Sequence, residues 1–316
     1  MKRKEFFAQT INQDQVTQAV TPILEQMVLS GKLLGNPRYI GNVFTDVKNK
    51  MEIGYLSASS GLIKAYSDSF TSSDSLTLGK RTLQPGKFTI NESLGASELE
   101  LLFQNSQLAP GVGNVEGMNS LENALVSFLV KKCSKAFDQI AFQSTGTTSA
   151  NTIYSEITGL MARAAADSST VKVTATTLTK ANILDEVDKV YNAMSQDAKD
   201  GNIKIFMSEK SYGYWKQALA GLGLYNSVKS TDDSVIGTDL YYDSRVEIVP
   251  TIGMADNKMF ATPAENLFIG LDTEGDWSTV RFVDLRSTTN ENIMTIRADF
   301  GMDINYGDST CVTIYN

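Results

Sequence analysis

The stretch Val246-Glu247-Ile248-Val249-Pro250, followed by Gly253-Met254-Ala255-Asp256-Asn257-Lys258-Met259-Phe260-Ala261 and then Asn266-Leu267-Phe268-Ile269-Gly270, decides the fold. Short apolar runs rich in β-branched and aromatic residues alternate with Gly, Asp and Asn, the pattern of strand, turn, strand, turn, strand. Taken alone, it predicts a compact antiparallel sheet.

Upstream, Thr179 to about Lys199 reads as one amphipathic helix, with Ile183, Leu184, Val187, Val190, Tyr191 and Met194 on one face and Asp185, Glu186, Asp188 and Lys189 opposite. Lys204-Ile205-Phe206-Met207 reads as a short buried strand, and Ser208 to Leu219 as a helix turning Tyr212 and Trp215 inward. Gly221 to Asp233 is a loop of Gly, Ser and Asp. Downstream, Thr279 to Val283, Ile293 to Ala298 and Thr310 to Tyr315 are strands. The longest helix runs from about Asn119 to Gln143 on a stripe that includes Cys133, Ala136, Phe137 and Ile140, and roughly twenty-five residues make a rod about 37 Å long. Asp14 to Ser30 is a further amphipathic helix, and Ser97 to Phe103 a helical turn closed by a loop at 109–113. Between them, Leu56 to Ser75 is too rich in small and hydroxyl residues to anchor a core and reads as a protruding loop or hairpin. Leu76 to Leu83 alternates apolar and polar residues, and Pro85-Gly86 turns it toward Lys87-Phe88-Thr89-Ile90, a hairpin or two-stranded arm. No linker is polar enough to separate independent domains. The class is α+β.

The chain has 316 residues, 42% hydrophobic and 20% charged, ordinary for a globular protein. No apolar run is long enough to span a membrane, and Met1 to Asp14 holds no signal-peptide core, so synthesis and folding in the cytoplasm are expected. A net charge of -8 gains nothing from the counterion release that drives phosphate binding, and sequence-specific nucleic-acid reading is not expected. Cys133 and Cys311 read as buried free thiols. There is no histidine. Serine triads, cysteine-histidine pairs and the usual zinc sites therefore lack an essential side chain.

Other chemical candidates have plainer readings. Gly111-Val112-Gly113-Asn114-Val115-Glu116-Gly117 misspaces its third glycine for a dinucleotide loop. Asp272-Thr273-Glu274-Gly275-Asp276 places its glycine too early for a calcium loop and reads as a solvated turn. Asp185, Glu186 and Asp188 read as surface charges, and Tyr212, Tyr214 and Trp215, with no basic cluster around them, as core or subunit contacts. No catalytic, cofactor-binding or metal-binding residue is nominated.

Four segments in order resemble the tailed-bacteriophage major capsid proteins with the Hong Kong 97-type fold. They are the arm ending Thr82-Leu83-Gln84-Pro85-Gly86-Lys87-Phe88, followed by Ser93-Leu94 and the turn at 98–102; the long helix closing Lys135-Ala136-Phe137-Asp138-Gln139-Ile140-Ala141-Phe142; the helix to Met194 with Ile203 to Tyr212; and the tail quoted first. The resemblance implies an N-terminal arm at 1–54, an extended loop at 55–95, a peripheral domain at 96–177 with a spine helix at 119–143, an axial domain at 178–262, and closing strands at 263–316. It implies a non-enzymatic subunit, without cofactor, that self-assembles into hexamers and pentamers forming an icosahedral head around double-stranded DNA. Separate scaffolding, portal and decoration proteins would be partners, no membrane would be involved, and the location would be the virion after assembly in a bacterial cytoplasm. An encapsulin-like nanocompartment shell is the alternative, and a cytoplasmic enzyme using carboxylate or lysine chemistry the more distant one. Some members weld subunits through lysine and asparagine, but nothing local singles out Lys64, Lys80 or Lys87, and no cross-link is expected.

Overall fold

Strands β6 (Ile203–Ser208), β7 (Val246–Thr251), β8 (Met259–Pro263) and β12 (Thr313–Tyr315) are mostly apolar because their sheet is covered on both faces. With β5 (Val171–Val173) they run in the order β5-β12-β8-β6-β7. The computed structural model describes residues 36, 38–45, 47–58, 65–66, 76–95, 131–147, 152–222, 246–272, 279–284 and 293–316. The expected helix at 14–30, the turn and loops at 97–113, the first half of the long helix, most of the hydroxyl-rich loop and residues 223–233 lie outside them.

Alternate residues of this sheet enter two different cores. Phe206, Val249, Phe260 and Ile314 face a core shared with helix α1 (residues 131–143), and Phe142 packs its ring 5.5 Å from Phe206 and 6.1 Å from Phe260. Ile205, Met207, Ile248, Met259, Ala261 and Tyr315 face a second core under helices α3 (Ile183–Ala193) and α5 (Glu209–Gly221). The period-2 geometry of a strand thus lets one sheet serve both cores.

The second five-stranded sheet holds β1 (Asn42–Phe44), β4 (Gly86–Gly95), β9 (Leu267–Asp272), β10 (Thr279–Asp284) and β11 (Ile293–Tyr306). β11 spans it: β4 lines one of its edges while β9 and β10 share the other. Helix α2 (Leu160–Ala166) and α1 bury Leu160, Ala164, Phe137 and Ile140 in the same core as Phe88 and Phe300. Phe137 meets Phe300 edge-on at 4.8 Å, a preferred aromatic geometry.

Several expectations need correction. The decisive stretch is strand, turn, strand, turn, strand, but not one antiparallel sheet. β7 and β8 both pair with β6, the first parallel and the second antiparallel, and β9 belongs to the other sheet. The chain changes sheets at Pro263 and the turn Ala264–Asn266, where the Asn266 amide donates to Thr262 and to the Asp308 carbonyl. Pro85-Gly86 is likewise not a hairpin turn: β3 (Leu76–Leu83) pairs with β2 (Met51–Ala58), so Leu56 to Ala58 are strand, while β4 pairs with β11. The helix expected at 179–199 is two. Met194 is extended, and the Ser195 hydroxyl caps α4 (Gln196–Asp200) by accepting the Ala198 amide, an alternative to continued helix that serine readily offers. The strand expected at 293–298 continues to Tyr306, and Cys311 lies in a short turn, Ser309–Cys311, ahead of β12.

Candidate assembly surface

The two-stranded ribbon β2–β3 carries exposed apolar side chains. Leu56 and Leu78 are directly paired across it, and Leu76 stands two residues from Leu78 on the same face. They are 72%, 68% and 62% exposed, and Tyr66, between the two strands in sequence, is 92% exposed. Scattered single hydrophobics are normal on a surface, but adjacent leucines on one ribbon face form a contiguous patch.

The other face of the ribbon explains how it stands. Tyr55 is paired with Gly79, and its ring occupies the space that a Cβ there would need. The Arg81 guanidinium then lies 5.9 Å from the Tyr55 ring centroid and 5.0 Å from that of Tyr306 on β11. From that position Arg81 donates through Nη2 to Asp167 at 2.7 Å and through Nε to the Gly307 carbonyl at 3.0 Å. Below it Leu83 is completely buried, with Val47 and Gly270 beside it. The amide of Asn305 donates to the Thr82 carbonyl at 2.9 Å, and the Gln84 backbone N–H donates to Asp303 at 2.8 Å. Asp303 also receives Arg163 Nη2 at 2.7 Å and the Ile304 amide at 2.9 Å.

The two carboxylates at this base differ electrostatically. Burial raises the pKa of Asp303 despite the opposing charge of Arg163. Burial also acts to raise Asp167, but the Ser169 amide and the Arg81 guanidinium hold its carboxyl below the usual value. The ribbon is therefore pinned at its base and apolar toward its far end.

The residues weighed in the sequence do not converge. Asp185 and Lys189 are exposed, as expected of surface charges. Glu186 is not: it is buried, accepts the Tyr315 hydroxyl at 2.8 Å and pairs with Lys189 at 2.7 Å, tying α3 to the last strand. Trp215 is buried with Tyr212 stacked on it at 5.7 Å, so this aromatic group belongs to the core. Asp272 is buried at the end of β9, contrary to a solvated turn, and residues 273–276 lie outside the described ones. Cys133 and Cys311 form no disulfide, and both are half-buried where full burial was expected. Lys80 pairs with Glu52 at 3.5 Å, Lys87 is exposed, and Lys64 lies outside the described residues. Among the described residues no three of Asp, Glu, Cys and His are grouped to hold a metal ion, and no helix is long and apolar enough to cross a membrane.

Sequence reasoning missed the pair Lys204 and Glu247. They are directly opposed on β6 and β7, 2.6 Å apart with side chains 2% and 6% exposed, and Arg38 Nε adds a bond of 2.9 Å to the same Glu247 oxygen. The available signal was a single charge of opposite sign within each of two apolar strands.

No protein-family model matches the sequence, and no curated protein matches it significantly. Solved structures do. A chain of the satellite phage P4 procapsid superposes with a TM-score of 0.57 at 12% identity, covering 93% of this chain and 98% of that one. The capsid of cyanophage A-1(L) gives 0.51 at 14% identity, covering 93% and 92%. A virus-like particle from Pyrococcus furiosus gives 0.50 at 11% identity, covering 96% and 98%. The likeness runs nearly end to end, and the fold is of the Hong Kong 97 capsid type.

Proposed function

We propose that this chain is the major capsid protein of a tailed bacteriophage, gathering into hexamers and pentamers that close an icosahedral head around double-stranded DNA. The observation that carries this reading is the near-complete mutual coverage with the P4 procapsid chain. The ribbon supports it independently. A leucine patch held away from both cores by a pinned base has its natural use in contact with another copy.

In this reading residues 1–54 form the N-terminal arm, 55–95 the extended loop, 96–177 the peripheral domain, 178–262 the axial domain and 263–316 the closing strands. The second core, drawn largely from 178–261, supports the axial assignment. The closing strands serve both sheets, since β9 to β11 join β4 whereas β12 joins β8. Assembly in a bacterial cytoplasm, with separate scaffolding, portal and decoration proteins, completes the proposal. The likeness to the Pyrococcus furiosus virus-like particle favours a second reading, an encapsulin-like shell around protein cargo.

Electron microscopy of the purified chain, with nucleic acid assayed in any particles, tests this. Closed shells or capsomer rings are expected, and DNA in particles from the native source separates a phage head from a nanocompartment. A monomer that persists across salt and concentration would overturn both readings.

A further inference from the structure

The described residues between Asn36 and Val47 touch both five-stranded sheets. Asn36 shapes the entry: its carbonyl accepts the Tyr39 and Ile40 amides at 2.9 and 3.3 Å, and its side-chain oxygen accepts the Arg38 amide at 3.0 Å. Further on, the segment is fastened to β9. The Gly41 amide donates to the Ala264 carbonyl at 2.9 Å, β1 pairs parallel with β9, and the Val47 amide donates to the Leu271 carbonyl at 3.0 Å. The near end rests on the other sheet, where Arg38 reaches Glu247.

Glu247 and Lys204 lie beneath that end. Tyr39 sits over them, its ring centroid 6.0 Å from Lys204 Nζ, and burial and the Glu247 carboxylate together raise the pKa of its phenol. Arg38 itself is 48% exposed, so the latch faces water while the pair it covers is dry. Drying two charges carries a desolvation penalty that their attraction offsets only in part. Lifting the cover returns water to both, a compensation that an apolar floor could not provide.

We propose that Arg38 and Tyr39 form the releasable end of a strap joining the two sheets, which lifts from the Lys204–Glu247 pair while β1 remains anchored on β9. The strap belongs to a single subunit and does not depend on the shell reading.

Hydrogen exchange followed by mass spectrometry on the unassembled full chain tests it. Arg38→Ala should speed exchange in residues 38–41 by roughly threefold to fivefold, the scale of one partly exposed ion pair, with β6 and β12 unchanged. Lys210→Ala, which removes an exposed pair with Asp256, should leave 38–41 unaffected. Adding Lys204→Met and Glu247→Leu to Arg38→Ala should restore protection, because the floor is then apolar. Unchanged exchange at 38–41 in Arg38→Ala would overturn the strap, as would parallel acceleration of β6 and β12. If the triple variant fails to fold, Arg38→Lys takes its place: exchange between wild type and Arg38→Ala supports an ionic latch, and exchange equal to Arg38→Ala refutes it.

Discussion

Replacing Arg81 by alanine should loosen the ribbon without unfolding the subunit, and the cost can be assembled from its contacts. The bond to Asp167 joins side chains 25% and 17% exposed at 2.7 Å, so solvent screening reduces it to about 1 kcal/mol. The Nε bond leaves the Gly307 carbonyl without that donor, about 1 kcal/mol more. The guanidinium over Tyr306 adds about 0.5 kcal/mol. The sum, roughly 2.5 kcal/mol, is well inside the stability of about 5–15 kcal/mol usual for a folded protein.

A double-mutant cycle with Asp167→Ala isolates the ion pair. In Asp167→Ala the guanidinium keeps Gly307 and Tyr306, so the two single changes should couple by about 1 kcal/mol. Urea midpoints of the unassembled chain, with slopes compared to exclude a change in compactness, provide the measurement. Coupling below about 0.3 kcal/mol would refute the claim that the ion pair holds the ribbon base. Equal urea slopes for all four proteins are required for the comparison to count.

Three further outcomes follow from other parts of the molecule. Changing Leu56, Leu76 and Leu78 together to serine should shift the urea midpoint by less than about 0.5 kcal/mol equivalent, yet raise the concentration needed for assembly at least about tenfold, since each leucine buried at an interface is worth about 1.5–3 kcal/mol; light scattering against concentration reads this. Gly253→Ala should cost about 1–3 kcal/mol by thermal melting, because a Cβ there would strike the Asp138 carbonyl of α1, and Gln143 already donates to the Gly253 carbonyl at 2.8 Å. For pH, the folded carboxyl of Asp167 lies below its unfolded value. Its stabilisation is therefore complete above the unfolded pKa of about 4 and is lost as pH falls through the lower folded value, so Asp167→Asn should flatten the acid limb of the urea midpoint against pH between about pH 5 and 3.

Patterns local in the chain were legible. The apolar stripe of α1 placed Phe137 and Ile140 in the core, and Ser208 begins α5 as the periodicity implied, accepting the Ser211 amide. What periodicity could not supply was which strand meets which. Consecutive strands are neighbours often enough to be assumed so, and the assumption failed for β7 with β8 and for β3 with β4, since in both cases a third strand, β6 or β2, supplies the true partner. Glu186 was misplaced for a related reason: its helix side looks polar in projection, but Tyr315, 129 residues away, supplies the hydroxyl that makes burial tolerable.

Lys204 and Glu247 show how a pairing can nonetheless be read from such strands. Each is the sole charge in an apolar run whose residues are buried on both faces, so neither can turn toward water. A charge in that position requires an opposite charge within bonding distance. Of the in-phase alignments of β6 beside β7, the one that satisfies both places residue 204 opposite 247, the register observed. Sliding β6 by one residue would move Lys204 to the opposite face and set it beside Val246 or Ile248, burying its charge without a partner and leaving Glu247 only the half-exposed Arg38. The pair thus specifies parallel register between strands some forty residues apart, which the aliphatic residues around it, being interchangeable in volume and polarity, do not.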